Sequence, residues 1–429
     1  MSLDLGKEGM LRLTVPLTDS TDLRGVRSSY LIDQYRNLVG WLRVWSGRSN
    51  DVATAVLLSE VLRLKKSDPG VLLSVINRSS VGGLLRCIYG QLRTGRWSLD
   101  AALWSVELQC QLLFELWMAE ALEAEVQLSA LPARFVASGC RRVVDLSAES
   151  VEQVRFRGSS IEFKVSGEWR SHTRDYYLVE PEYPCYWDVV EGIVLTLADN
   201  NPLADFETHP DKNGNFADLG GKEPEEWLST LRGAFALIEE YYPVLYREMR
   251  EGLQQVVPVG YDEENHLSAS YQEYVGSIYV TLHPNLMTMV EALIHEFSHS
   301  KLNMLWSLDS VLHNAFEPLF KSPFRPDPRP LHGLLLGLHA FLPIEYFYER
   351  LEEVGHMICG DPNWSKRRER LRLLDRDAAS VVVANSEATE IGQRLVEELA
   401  HWNEYFESSG ERLGKVSREE DVVVAGGVV

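Results

Sequence analysis

Apolar residues recur at helical spacing along the first third of the chain. They fall every three or four residues through 52–64 and again through 103–122, as in helices that bury one face and expose the other. We therefore predict that residues 1–137 form a helical region. This region is expected to be a scaffold, or a platform for a partner.

Between residues 138 and 190 the helical spacing gives way to short stretches rich in β-branched residues. Two of them cover residues 151–156 and 160–165, and glycines and polar residues separate them. Such stretches predict a small antiparallel sheet.

After residue 190 the pattern is again helical. One helix is predicted from Pro224 to about residue 252, because a proline is well tolerated in a first helical turn. Residues 191–415 are expected to form a second helical domain, and residues 416–429 a disordered tail. The predicted fold class is mainly α, of the α+β type: a helical N-terminal half, a small antiparallel sheet and a C-terminal helical domain.

A strand followed by an amphipathic helix is predicted in the middle of this second domain. The strand covers residues 274–282 and ends at His283, and Pro284 is expected to begin the helix. The apolar residues of the helix share one face: Leu286, Met289, Val290, Leu293, Ile294 and Phe297. This stripe would carry His295 and His299 toward the interior.

The helix contains the sequence His-Glu-Phe-Ser-His, an HExxH motif. Histidines four residues apart lie on one helix face, about 5–6 Å from each other, so both imidazoles can reach one cation. We predict His295 and His299 as ligands of a divalent metal. Glu296 is turned about 100° from His295, so in a zinc peptidase it can reach the metal-bound water as a general base. Two ligands hold a catalytic metal poorly, and Glu317 is one candidate for the third.

A later helix offers two more candidates for the third ligand. It is predicted to begin at Pro330, and His332 and His339 share one of its faces. We choose His339 as the ligand, with His332 as the alternative; the histidine that is not a ligand is expected in the outer shell of the site or in contact with substrate. Gly333 and Gly337 are expected to let this helix approach the HExxH helix closely.

Composition excludes several classes of function. The net charge of −21 argues against nucleic-acid binding, which needs a concentrated basic surface, and we interpret the basic run at 366–372 as a solvated helix face. The five cysteines include no CxxC pair, so neither a disulfide framework nor a cysteine zinc site is indicated. No run of about 18 apolar residues and no apolar N-terminal segment occurs, so we expect a cytoplasmic protein without a membrane span.

Two segments carry a resemblance to a known family. His-Glu-Phe-Ser-His-Ser-Lys-Leu-Asn at 295–303, together with Arg-Pro-Asp-Pro-Arg-Pro-Leu at 325–331, resembles the HExxH-domain proteins of bacterial gene clusters for ribosomally made, modified peptides. The resemblance covers roughly residues 199–349, and the loop at 201–212 is also similar to the family. Members include Fe(II)- and 2-oxoglutarate-dependent peptide β-hydroxylases.

The resemblance implies roles for individual residues. His295 and His299 would be iron ligands, with His339 as the third. Asn303 falls near the metal face of the helix, whereas Lys301 is turned about 200° from His299 and is expected to be a structural salt-bridge partner.

A 2-oxoglutarate cosubstrate would need a cation for its distal carboxylate. Arginine suits that role because its guanidinium can bind a carboxylate through two parallel hydrogen bonds. Arg329 is our first choice and Arg325 the second, since both lie close to the metal segment in sequence.

The leading expectation is an Fe(II)/2-oxoglutarate-dependent hydroxylase that uses O2 to modify a side chain of a ribosomally made precursor peptide. The peptide is expected to pair with an exposed strand edge at residues 276–281. One alternative is a zinc metallopeptidase with Glu296 as general base and Glu317 as third ligand. Another is a peptide-binding platform in which the metal has only a structural role.

Overall fold

A computed structural model describes residues 10–18, 21–49, 51–95, 98–205 and 214–425, with side chains as far as residue 408 except those of residues 21 and 49. The mainly α fold class is confirmed. The helices are α1 (Thr21–Ser49), α2 (Val52–Ser67), α3 (Pro69–Ile76), α4 (Ser79–Arg93), α5 (Leu99–Met118), α6 (Arg174–Leu178), α7 (Pro224–Tyr241), α8 (Pro243–Gly252), α9 (Leu286–Leu308), α10 (Leu331–Glu353), α11 (Trp364–Asn385) and α12 (Glu390–Ala425).

The strands are short and fall mostly in the middle of the chain. They are β1 (Val126–Leu128), β2 (Arg134–Ala137), β3 (Arg142–Asp145), β4 (Val151–Arg157), β5 (Ser160–Val165), β6 (Glu168–Thr173), β7 (Tyr186–Val190), β8 (Ile193–Thr196), β9 (Gln255–Tyr261), β10 (Ser268–Ala269), β11 (Ser277–Leu282), β12 (Leu319–Phe320) and β13 (Arg329–Pro330).

The chain divides into two compact units, and each is discontinuous in sequence. The first, which we call the metal-helix unit, comprises Met1–Val26, Ala234–Met249 and Val290–Val429. The second, the sheet unit, comprises Arg27–Gly233 and Arg250–Met289. Boundaries at 137/138 and 190/191 were expected from the sequence, whereas the structure places both positions inside the sheet unit.

One core joins helices and strands in the sheet unit. Phe114 and Trp117 of α5 are fully buried, and their rings contact Phe135 of β2 at 5.3 Å and Phe156 of β4 at 6.3 Å between centroids. Because the helices and the sheet share these aromatic contacts, they have one hydrophobic core across the expected boundary at 137/138.

Two larger sheets lie in the sheet unit. The first is antiparallel in the order β1-β4-β5-β6, with Phe156 opposite Ile161, which confirms the predicted small antiparallel sheet. The second has the order β10-β11-β9-β8-β7, in which β9 is parallel to both of its neighbours.

The predicted exposed strand edge at residues 276–281 is wrong. In the structure β11 has β10 on one side and β9 on the other, and all six of its residues are buried. The covering strand β10 has only two residues, Ser268 and Ala269, and so gives no alternating pattern in the sequence.

In the metal-helix unit, α10 packs against α11 and α12, and α11 packs against α12. The N-terminal segment lies along α12: the Leu11 amide donates to the Arg394 carbonyl at 3.3 Å. The Glu398 carboxylate accepts hydrogen bonds from the backbone amides of Leu13 and Thr14. These bonds attach the segment to α12.

Two predicted element bounds differ from the structure. The helix expected from Pro224 to about 252 is broken between α7 and α8, because Pro243 has no backbone N–H to continue the helical hydrogen bonds. Helix α12 runs to Ala425, through most of the tail that we expected to be disordered, and no proline interrupts it after Glu390. Residues 426–429 and most of the family-like loop at 201–212 lie outside the described residues.

No single helix in the described part of the chain is long and apolar enough to cross a membrane. The pair α3 and α4 passes that test only when joined, and the two helices are bent by 76°.

Candidate metal site

The helix that carries the HExxH motif is capped by an asparagine. The side-chain oxygen of Asn285 accepts hydrogen bonds from the amides of Met287 at 2.9 Å and Thr288 at 3.4 Å. Such a cap satisfies amides that have no partner inside the helix. The sequence had suggested that the helix begins at Pro284, whereas α9 begins at Leu286.

The predicted apolar stripe of α9 faces the interior. Leu286 is half-buried. The other five members are each 0 % exposed: Met289, Val290, Leu293, Ile294 and Phe297. The stripe was predictable because an amphipathic helix buries its apolar face wherever it packs.

The structure brings the two predicted histidines together with the glutamate between them. The ligand atoms of His295, Glu296 and His299 all lie within 4.8 Å of one another, and the two imidazole centroids are 4.4 Å apart. Donors bound to one cation at about 2.0–2.2 Å lie no more than about 4.4 Å apart, slightly less than this upper limit. Glu296 is only 2 % exposed. The cluster can therefore hold one divalent cation with two nitrogens and one carboxylate oxygen.

His299 has the protonation state that a metal ligand needs. Burial lowers its pKa well below the usual value, and the nearby His295, His339 and His332 lower it further. Its Nδ1 atom is buried and makes no hydrogen bond to a described residue. A neutral imidazole with an available lone pair is the form that binds a cation. The residues present thus fit a metal.

Each of the three predicted third ligands lies outside this cluster. His339 is fully buried; burial, and then the charge of Lys301, lower its pKa well below the usual value, and a hydrogen bond with the Leu13 backbone opposes this shift in part. Burial lowers the pKa of His332 to about 4, and Glu317 is exposed. The choice of His339 stays a prediction, and Glu296 is the carboxylate that the structure places beside the two histidines.

The arginines predicted to bind 2-oxoglutarate both have a protein partner. Arg325 and Arg329 form ion pairs with Asp327 at 3.4 Å and 2.8 Å. Their role toward a cosubstrate stays a prediction. Asn303, the third residue predicted near the cofactor, is 5 % exposed and follows His299 by one helical turn.

Two aromatic rings lie beside His295. The ring of Phe341 is 4.6 Å from that of His295, and Phe324 stacks on Phe341 at 5.1 Å. Gly337 makes room for this arrangement, since a Cβ at that position would lie 2.6 Å from the Phe324 ring. The expectation that Gly337 would let α10 approach α9 is wrong: the space that it leaves is filled by Phe324.

The interpretation of the basic run at 366–372 as a solvated face holds for Lys366, Glu369 and Arg370, which are exposed, but two of its arginines also pair with acidic side chains. Arg367 forms an ion pair with Glu291, which lies one turn before His295 on α9, and Tyr348 donates a hydrogen bond to the same carboxylate. The Arg368 side chain is only 6 % exposed and pairs with Glu352. The sequence shows that Glu291 lies one helical turn before His295. It does not show the cationic partner of Glu291, because Arg367 is 76 residues away.

The predicted structural role of Lys301 is confirmed. Its side chain is 0 % exposed, and its ammonium group lies 3.0 Å from the carboxylate of Glu248. On the regular helix α9 it is turned about 200° from His299. It therefore supports the packing of α9 rather than the metal cluster.

Comparisons with known proteins do not add a family. No protein-family model matches the chain, and no curated protein matches it in sequence.

Proposed function

We propose that this chain is an Fe(II)/2-oxoglutarate-dependent hydroxylase that modifies a side chain of a ribosomally made peptide. The observation that carries the proposal is the donor set of His295, Glu296 and His299 within 4.8 Å. Two imidazoles and one carboxylate, with positions left for other ligands, are the usual donors in non-haem iron oxygenases. The family resemblance of residues 295–303 and 325–331 supports the same chemistry.

In this proposal Glu296 becomes the third ligand in place of His339. The two histidines supply neutral nitrogen donors, and the buried carboxylate supplies negative charge that partly neutralises the cation. When bound, iron and 2-oxoglutarate would supply oxidation of a C–H bond by O2, with succinate and CO2 as the other products.

The remaining side chains would shape the surroundings of the metal. Phe341 lies against His295 and is held by Phe324, which would restrict the His295 ring and limit access of water on that side. Arg329 remains our candidate for the distal carboxylate of 2-oxoglutarate, with Arg325 second. A ligand carboxylate would replace Asp327 as the partner of the guanidinium. We place the enzyme in the cytoplasm with its precursor peptide.

An anaerobic titration of the Fe(II)-loaded protein with 2-oxoglutarate tests the proposal. A chelated keto acid on iron gives a weak visible charge-transfer band, and we expect this band in the native protein and its loss in His295→Ala. His313→Ala is the matched control, because His313 is exposed in the same unit. A native protein that binds Fe(II) without developing the band would contradict the hydroxylase.

A zinc peptidase is the second candidate, and the burial of Glu296 within the cluster favours it. A carboxylate next to the two histidines is where a general base for metal-bound water must lie. This alternative predicts tightly bound zinc by elemental analysis and peptide cleavage that Glu296→Gln abolishes without releasing the metal. If Glu296 is instead a ligand, as we propose, the same substitution weakens metal binding itself.

A further inference from the structure

The segment that joins α9 to α10, residues 309–330, is built as a rigid loop. Strands β12 and β13 pair within it, with Leu319 opposite Pro330 and Phe320 opposite Arg329. The Ser322 hydroxyl accepts hydrogen bonds from two following amides, each at 3.2 Å. Such local bonds fix the direction of side chains along a loop.

The connecting loop reaches His295 through aromatic contacts. Phe324 packs on Phe341, which lies against His295. Phe316 stacks on His332, the second residue of α10, at 5.1 Å between ring centroids. A molecule bound on this loop would therefore lie next to the metal.

The outer surface of the loop is apolar and cationic. Phe316 is 67 % exposed and Leu319 is 60 % exposed, although both belong to a well-fixed segment. Lys321 is exposed, and the Arg325 side chain keeps 36 % of its surface accessible beside Asp327. We call Phe316, Leu319, Lys321 and Arg325 the loop surface.

The charge of this segment contrasts with that of the whole chain. Residues 316–330 contain three cations (Lys321, Arg325 and Arg329) and two anions (Glu317 and Asp327), a small positive excess in a chain with a net charge of −21. Arg325 and Arg329 both pair with Asp327, so one carboxylate is shared between two cations. At physiological salt, charges act over about 8 Å, so a bound chain senses the local cations more than the distant acidic residues. The loop surface is thus complementary to a ligand with acidic and large apolar groups.

We propose that the loop surface binds the substrate peptide through a segment that carries acidic and large apolar side chains. The choice of a peptide as the occupant rests on the function proposed above. Exposed apolar side chains next to a reactive centre are a common means of holding substrate, because burying them against the ligand is favourable while the charges set its orientation.

Binding of three synthetic twelve-residue peptides to the full-length protein tests this. The first peptide contains aspartate and leucine, the second has lysine in place of each aspartate, and the third has serine in place of each leucine. Each peptide is labelled with fluorescein, and its binding is followed by fluorescence anisotropy. We expect the aspartate–leucine peptide to bind at least tenfold more tightly than either of the others. Its affinity should fall as salt is raised.

Matched variants locate the binding. Lys321→Glu and Phe316→Ser should each weaken binding of the aspartate–leucine peptide about tenfold. The controls Lys366→Glu and Leu373→Ser change the same types of exposed side chain on α11 and should leave the affinity unchanged. Lys321→Glu and the two controls should leave the 2-oxoglutarate titration, which reports on His295, Glu296 and His299, unchanged.

Three outcomes would overturn the docking surface. The first is that the control variants weaken peptide binding as much as Lys321→Glu and Phe316→Ser do, and the second is that the lysine peptide binds more tightly than the aspartate–leucine peptide. The third is that the protein self-associates and Phe316→Ser abolishes this, which would make a second copy the occupant. These outcomes are separate from the fate of the hydroxylase. If the native protein gives no charge-transfer band but binds the peptide, the hydroxylase is contradicted and the loop surface stands. If it gives the band but does not bind the peptide, the loop surface is contradicted and the hydroxylase stands.

Discussion

Replacement of Gly337 by alanine tests whether the aromatic contacts beside His295 hold that ligand in place. The added methyl group would lie 2.6 Å from one carbon of the Phe324 ring and 2.7 Å from the next. Overpacking of this kind costs about 1–3 kcal/mol. The alanine returns about 1 kcal/mol of helix propensity. We therefore expect the free energy of unfolding to fall by roughly 0–2 kcal/mol in this variant.

The effect on metal binding should be clearer than the effect on stability. Displacement of Phe324 loosens Phe341, which contacts His295. Changes in groups that support metal ligands typically weaken metal affinity 10- to 100-fold, and we expect about tenfold here. Urea unfolding of the metal-free protein measures the first effect, and a Co²⁺ titration followed by absorbance measures the second.

Gly333→Ala is the matched control on the same helix. A Cβ at Gly333 would meet only the Cβ of Arg329 at 3.8 Å, which is an ordinary contact. This variant should keep its Co²⁺ affinity and unfold with the same or up to about 1 kcal/mol greater free energy. Equal Co²⁺ affinity in Gly337→Ala and Gly333→Ala would refute a role for the Phe324–Phe341 contact at the metal.

Three further predictions concern stability and are measured by urea unfolding. Asp375 and Glu345 are both buried on packed helices, and burial raises their pKa values, that of Glu345 to about 7. Since the folded state then holds protons that the unfolded state releases, the free energy of unfolding should fall as pH rises from about 5 to 8. Asp375→Asn should reduce this fall, and an unchanged pH dependence in the variant would contradict the prediction. Lys301→Met should cost about 3–5 kcal/mol by removing the cation that faces the buried Glu248 carboxylate. Adding Glu248→Gln should restore most of the loss, whereas additive losses would exclude pairing. Asn285→Ala should cost about 0.5–2 kcal/mol through loss of the cap of α9; a neutral result would argue against the cap.

The sequence predicted the features that depend on local periodicity. The burial of the α9 stripe follows from apolar residues spaced at three and four, and β4 and β5 follow from β-branched runs separated by glycine. The proximity of His295 and His299 follows from helix geometry alone. The buried pairing of Lys301 was also predictable, because its angle on the helix points it away from the metal face.

Features that depend on how helices pack were not predictable in the same way. Whether His339, His332 or Glu317 joins the cluster depends on how α10 and the loop before it pack against α9, which no local pattern encodes. The partner of Arg367 is Glu291, 76 residues away. The two-residue strand β10 hides the edge of β11 but is too short to recognise in a sequence.

Metal binding by His295, Glu296 and His299 is measured most directly by calorimetric titration of the metal-free protein with a divalent cation, beside His299→Ala and the exposed control His313→Ala. We expect one equivalent to bind to the native protein and to the control, and binding to be lost in His299→Ala. Binding of one equivalent to His299→Ala with native affinity would contradict the assignment of the site.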